Sequence, residues 1–230
     1  MVKLGTLFTR IVAAPWSGAD SVREIVAASE GGARTYAAIR FKIIPPELLR
    51  LIAEFLPRQG ACLDVGCGFG LFSAWMSKEQ PDAQWLGVDL DEQRIATAKG
   101  LAARLQLTRC DFEVADLRVW RPMRPFDSAL CLDCLHHLPE PAADELLAAV
   151  HARLAPGGVL VLKEIAASPW WRATWTFLLD QVTAFGQAVV YRDGAIWKEK
   201  LEAAGFTDVR VIPWRHWLPY PHLLVVGKKG

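Results

Sequence analysis

The residues best suited to chemistry lie at the ends of short apolar runs. Residues 62–70 read CLDVGCGFG, an apolar run that contains Asp64 and is followed by Gly66, Gly68 and Gly70. A glycine-rich turn between a strand and a helix lets the backbone approach a ligand closely, and the helix N-terminus behind it faces that ligand. Asp89 closes the next apolar run, 23 residues after Gly66, where a carboxylate can accept both ribose hydroxyls. Asp116 follows the third run, 27 residues after Asp89, and can accept a hydrogen bond from an adenine amino group. A dinucleotide-binding turn has the form G-x-G-x-x-G/A, whereas Leu71 stands at its last position here. Asp64 would be unfavourable beside a pyrophosphate and favourable beside a cation. Acids at three successive strand ends describe a site for an adenosine that carries positive charge and no phosphate.

Proton transfer has its own candidates. His136 and His137 begin the helix after the fourth run, Glu164 ends the fifth, and Tyr191 stands beside Arg192 and Asp193. Histidine and glutamate can take a proton near neutral pH; equally, the histidines can fill a helix start and Tyr191 can be a surface aromatic. The five cysteines, at 62, 67, 110, 131 and 134, are odd in number, and three lie in apolar runs. That suits reduced thiols packed in a core better than a disulfide framework. Cys131 and Cys134 have the C-x-x-C spacing, but no second such pair is present. A structural zinc needs two more ligands, so packing is the expected role and no metal is expected.

Those residues need a scaffold, and the chain patterning supplies one. Residues 61–65, 84–90, 110–115, 126–132 and 159–165 are apolar runs, separated by helix-like periods at 69–78, 92–105 and 140–154. Asp91 caps the second helix, and Pro156-Gly157-Gly158 ends the third. Strands that are apolar on both faces and alternate with helices predict a parallel sheet covered on both sides. The strand C-termini then share one edge, where ligands bind, in a doubly wound α/β domain. Residues 1–59 read as helical pieces, with Pro45-Pro46 opening a helix over 47–56. Residues 168–190 form a long apolar stretch, a helix follows over 196–204, and runs 208–212 and 223–227 are expected to pair antiparallel at the sheet edge.

A chain of 230 residues suits one well-filled core. With 26 basic and 25 acidic residues and no basic run, it lacks the charge footprint of a nucleic-acid binder. Near the start, Val2, Leu4, Leu7, Phe8, Ile11 and Val12 would fall mostly on one side of a helix, with Lys3 and Arg10 nearby. Residues 2–12 are too short to span a bilayer; they suit packing on the body or peripheral contact with a membrane. The expected location is cytoplasmic, at the membrane surface if that contact is made. A homodimer is compatible with the sequence.

In register, these motifs resemble the class I S-adenosylmethionine-dependent methyltransferases of small-molecule type. LDVGCGFG at 63–70, GVDLD at 87–91, EVADL at 113–117, FDSALCLDCLHHLP at 126–139 and RLAPGGVLVLKE at 153–164 carry the likeness, and GFTDVRVI with LLVVGKK extends it toward the end. The resemblance implies a Rossmann-like, doubly wound, seven-stranded sheet, mostly parallel with an antiparallel C-terminal edge strand. It also implies one domain over 1–230: a helical cap (1–59), a cofactor-binding core (60–165), a lid (166–207) and a terminal strand pair (208–230). The cofactor would be S-adenosyl-L-methionine, leaving as S-adenosyl-L-homocysteine, with no metal.

Carried over by position, Gly66, Cys67 and Gly68 would lie against the methionine part, and Asp64 would support the loop or the ammonium group. Asp89 would hold the ribose, with Leu90 on the adenine; Asp116 would face the adenine amino group, and Leu117 would offer a backbone N–H. Leu132 and Asp133 would lie near the methionine end. Tyr36 and Arg40 match no motif but suit an N-terminal cover, Arg40 pairing with the cofactor carboxylate.

Of ten tryptophans, Trp170, Trp171, Trp175, Trp197, Trp214 and Trp217 fall after the fifth strand. They suit a lid over an apolar or aromatic acceptor such as a polyketide, polyene, quinone or lipid intermediate, and equally core packing or a dimer contact. The expected activity is methyl transfer to such a small molecule. The alternatives are a cofactor-binding regulatory protein without turnover and an NAD(P)-dependent oxidoreductase.

Overall fold

The structure, a computed structural model, describes residues 17–120, 122–168, 189–214 and 220–230. Its strands are β1 (Gly60–Val65), β2 (Ala83–Asp89), β3 (Cys110–Val114), β4 (Phe126–Leu132), β5 (Leu154–Ile165), β6 (Phe206–Trp214) and β7 (His222–Lys229). They form one sheet in the order β3-β2-β1-β4-β5-β7-β6. The pairs from β3 through to β5 are parallel, and β7 runs antiparallel to both β5 and β6.

The mostly parallel sheet with an antiparallel C-terminal strand is the one expected from sequence. That strand stands one place in from the margin, because β7 enters between β5 and β6. Burial accounts for the order. His222–Gly227 is buried throughout, whereas Thr207, Asp208 and Arg210 of β6 are exposed. A strand buried on both faces needs a neighbour on each side; one carrying polar side chains is tolerated at an edge.

The described helices are α1 (Ser17–Ala28), α2 (Gly31–Ile43), α3 (Pro46–Ala53), α4 (Leu71–Glu79), α5 (Glu92–Arg104), α6 (Glu140–Arg153) and α7 (Gly194–Ala203). Side chains alternate between sheet faces along a strand, so adjacent Cys62 and Leu63 enter separate cores. Cys62 and Leu130 pack with Ile25, Phe41, Leu48, Trp75 and Ile95 from α1–α5. Leu63, Ala129 and Leu162 pack with Leu147, Trp197 and Leu201 from α6 and α7. Trp75 and Trp197 are fully buried, and truncating a tryptophan so placed to alanine costs about 3–5 kcal/mol. Among the described residues, no helix is long and apolar enough to cross a membrane. The amphipathic segment 2–12 lies outside them, as do Trp170, Trp171, Trp175 and Trp217.

Two differences from the sequence reading bear on the site. The strand expected at 159–165 begins at Leu154, directly after α6, and Leu154 pairs with Phe126. A register irregularity between Phe126 and Ser128 absorbs the Pro-Gly-Gly segment within the strand instead of ending the helix with it. His136 and His137 do not begin α6; they occupy a separate 3-10 turn, Leu135–His137, held at the end of β4.

Gly70 shows why the loop carries a glycine where it does. It precedes α4 with φ of 72°, and a Cβ there would lie 2.5 Å from Phe112 Cζ and 2.8 Å from the Ala98 methyl. Close packing of α4 against β3 and α5 therefore falls to Gly70, leaving position 71 free for a buried leucine. Gly70→Ala is expected to lower stability by about 1–3 kcal/mol through left-handed strain and overpacking, read as a lower midpoint in urea unfolding.

Candidate active site

The glycine loop is fastened to β2 rather than to its own strand. Gly66 and Cys67 both donate their N–H groups to Val88 O, at 2.9 and 3.1 Å. Gly68 N–H donates to Asp89 Oδ2 at 2.9 Å, while Asp91 N–H donates to Asp89 Oδ1 at 3.0 Å. An ionised carboxylate has about four acceptor positions, so Asp89 steadies the loop and retains capacity for hydroxyl donors. Gly68 has φ of +55° and no atom within 4 Å of where a Cβ would be. The loop backbone is bare on that side, as close approach of a ligand requires.

Behind the loop, Asp64 is 2% exposed and accepts a hydrogen bond from Ser73 Oγ of α4 at 2.5 Å. Burial pushes its carboxyl up to about 7, with the Ser73 hydroxyl opposing that shift and the nearby Asp89 charge adding to it. No cationic side chain is paired with it among the described ion pairs. A buried carboxylate in that condition favours a cation beside it.

Loop, strand ends and α2 enclose a cleft of about 200 Å³. Asp64, Gly66, Cys67 and Gly68 line one side; Leu132, Asp133, His136 and His137 line the other. Tyr36 and Arg40 of α2 form its cover. Tyr36 meets Phe69 edge to face at 5.0 Å, and Arg40 lies 5.5 Å from the Phe72 ring. Asp133 closes the far wall in a left-handed conformation, φ 51°. Its two oxygens are paired separately, with Lys163 Nζ at 2.5 Å and Arg40 Nη2 at 2.9 Å. Burial alone would raise this carboxyl, but Lys163 and Arg40 outweigh it and hold Asp133 well below the usual carboxylate range.

Beyond Asp133 lies a buried histidine–glutamate pair. Glu164 accepts the Leu135 N–H through Oε1 at 2.8 Å, and its Oε2 meets His136 Nδ1. Burial works against the imidazolium, yet Glu164 and then Asp133 favour it, and the net effect raises the His136 pKa. The rings of His137 and Tyr191 lie 4.2 and 5.8 Å from that of His136. Asp133, His136 and Glu164 bring atoms within 4.8 Å of one another. Their acceptors already meet Arg40, Lys163, Leu135 N–H and each other. With two cations against Asp133, the cluster suits proton handling better than a metal ion.

Several residues stand elsewhere. Leu90 is 66% exposed on the rim after β2. The Asp116 carboxylate is engaged by Arg118 through backbone N–H and guanidinium, the closest contact being 2.7 Å. Leu117 is buried in the core, so anything it offers a ligand comes from its backbone. Asp89, Leu90, Asp116 and Leu117 lie outside the lining of the cleft. Trp197, considered above for the lid, is a core residue, and half-buried Trp214 packs against the other core. Sequence reasoning passed over Lys163 and Tyr220. A lysine in an apolar strand end was a legible signal for Lys163; nothing marked Tyr220, which also lines the cleft.

Asp64 yields a test of this electrostatic reading. Its folded-state pKa is raised, so the stability of the protonated form is full below about 3.8 and is lost as pH rises toward about 7. Asp64→Asn should match the wild type near pH 4 and exceed it at pH 8 by on the order of 4 kcal/mol, measured by urea unfolding across that range.

Comparisons with known proteins agree with this geometry. A family model described as "Methyltransferase domain" matches residues 62–158. The ubiquinone biosynthesis O-methyltransferase of Xylella fastidiosa (strain 9a5c) is 35% identical over 123 residues, covering 52% of this chain and 48% of that protein. A trans-aconitate 2-methyltransferase of Yersinia pestis (strain Pestoides F) is 29% identical over 161 residues, 69% of this chain and 55% of that one. The chain thus spans about half the length of these curated relatives. Among solved structures, the pyocyanin biosynthetic protein PhzM shares the fold with a TM-score of 0.68 at 22% identity, over 86% of this chain and 58% of PhzM. The glycine loop, the strand-end acids and the sheet order thus stand in a chain that is similar to the class I S-adenosylmethionine-dependent methyltransferases, with a methyltransferase domain matched over residues 62–158.

Proposed function

We propose that the protein transfers a methyl group from S-adenosylmethionine to a small, apolar or aromatic acceptor. One observation carries this reading. A single cleft runs from the bare face of the glycine loop and the buried Asp64 to the His136–Glu164 pair. The residues present fit the donor: Asp64 favours a cation, Asp89 has acceptor capacity for hydroxyls, and Arg40 stands over the cleft as a cationic cover. When bound, S-adenosylmethionine supplies an activated methyl, whose bond to sulfur breaks with its electron pair left on sulfur as the acceptor atom bonds the carbon.

The chain's own part is alignment and proton removal. Glu164 holds Nδ1 of His136, which leaves Nε2 to take the proton from the acceptor heteroatom. Ile39, Ile43, Ile165, Tyr36 and Tyr220 contribute apolar and aromatic surface to a cleft that charged side chains also line, and an acceptor with an apolar face can rest on that surface. The relatives named for ubiquinone biosynthesis and for trans-aconitate mark how widely acceptors vary on this fold.

Incubating the protein with methyl-labelled donor and a lipid-soluble extract, then identifying the product by mass, tests the acceptor class. Label in a small hydrophobic product is expected; label confined to polar molecules would sink the apolar reading. Donor binding without any transfer would favour a regulatory protein, and tight NAD(P) binding an oxidoreductase. His136→Gln is expected to cut turnover about 100- to 10,000-fold while leaving S-adenosylhomocysteine affinity intact. Because the His136 pKa is raised, wild-type turnover should climb with pH through a midpoint above the ordinary histidine value, and this limb should vanish in the variant.

A further inference from the structure

Arg192 is a buried cation whose position the methyl-transfer reading does not explain. It is 2% exposed, and its guanidinium lies 5.0 Å from the ring of fully buried Trp197. Nε donates to Glu140 Oε1 at 2.8 Å. Nη1 donates to Val190 O at 3.2 Å and to Leu135 O at 3.4 Å, and Nη2 donates to Leu138 O at 3.2 Å. Leu135 and Leu138 bracket His136 and His137, so the two arms of the fork grip both ends of the histidine turn.

That turn is held only loosely by its own backbone. Its bonds are His137 N–H to Cys134 O at 3.3 Å and Leu138 N–H to Leu135 O at 3.1 Å, and a 3-10 turn has poorer hydrogen-bond geometry than an α-helix. From the same segment as Arg192, Val190 N–H donates to His136 O at 2.8 Å. Stability alone is a weak reason to bury a guanidinium there, since apolar side chains of similar volume often serve as well or better. A lysine has the charge but lacks the planar fork.

We infer that Arg192 is a positioning residue for the proposed base: by bridging the carbonyls of Leu135 and Leu138, it keeps the turn closed and His136 on Glu164. The inference rests on His136 being that base, but its test needs no turnover, so failure of the clamp and failure of the base assignment remain distinguishable.

Several charged or titratable groups face His136. Glu164 and Lys163 come from β5, Asp133 from the end of β4, His137 from the same turn, and Tyr191 from the segment before α7; Arg40 of α2 acts through Asp133. Removing the positive Arg192 purely as a charge would raise the His136 midpoint. Releasing the ring from Glu164 into a buried setting would lower it. The sign therefore separates the two roles.

The readout is histidine ring NMR across pH, with His136 assigned by the resonance lost in His136→Gln. In Arg192→Met the His136 midpoint should fall by about one pH unit, a roughly tenfold change in proton affinity. Arg192→Lys, which preserves charge and most of the packing, should shift it the same way by less, and carries the test if the methionine variant does not fold. A midpoint unchanged in a folded variant would mean that the bonds of Arg192 serve the fold alone. A raised midpoint would mean that it acts only as a charge. Either result overturns the inference.

Discussion

Two parallel strands flank β1, and the chain reaches its neighbours by crossovers on opposite faces of the sheet. From β1 the path runs through α4 to β2 and through α5 to β3, on one face; from β4 it runs through α6 to β5, on the other. Loops leaving β1 and β4 must therefore diverge, and a crevice opens between them at the strand C-termini. Asp64, Asp89, Asp133 and Glu164 all stand at or just beyond such an end. Their convergence follows from the sheet order, and α2 closes the crevice with Arg40 and Tyr36.

Placing so many ionisable groups at a buried edge creates an electrostatic demand, met differently along the cleft. Asp133 has two cations, Glu164 has a histidine and a backbone donor, and Asp64 has the hydroxyl and backbone N–H of Ser73, which burial outweighs. Breaking a buried pair such as Asp133–Lys163 by removing one partner costs about 3–5 kcal/mol. The glycine-loop end instead leaves its carboxylate without a cation among the described ion pairs, a local loss of stability in contrast to the paired Asp133.

What was legible in the sequence followed from burial pattern and local spacing. The first five strands could be read because apolar runs covered on both faces leave little else for them to be. The glycine loop, the three strand-end acids, and His136 and Glu164 as separate candidates could be found because each sits at a run boundary. Pairings across the fold could not be read. Lys163 meets Asp133 across a separation of 30 residues, and Arg192 meets Glu140 across 52; both depend on which elements become neighbours. The place of β7 was hidden for the same reason, since its apolar run fixes burial without saying which strands cover it. Trp197 shows the limit of composition, because an aromatic count cannot distinguish a lid from a core.

The turn after β4 is where these threads meet. It brings Leu132, Asp133 and, within a few residues, His136 to the lining of one cleft. The left-handed φ at Asp133 and the short 3-10 turn after it accomplish that change of direction, and neither is a conformation that the backbone holds strongly by itself. Bracing comes from both flanks. Arg40 fastens the Asp133 side chain from α2, and Arg192 fastens the carbonyls of Leu135 and Leu138 from the segment before α7. Two arginines thus hold one strained turn by different means, one through a carboxylate and one through the main chain. Between those flanks β5 adds its own anchors, Lys163 on the Asp133 side chain and Glu164 on the Leu135 N–H, so the turn is fixed from three elements at once.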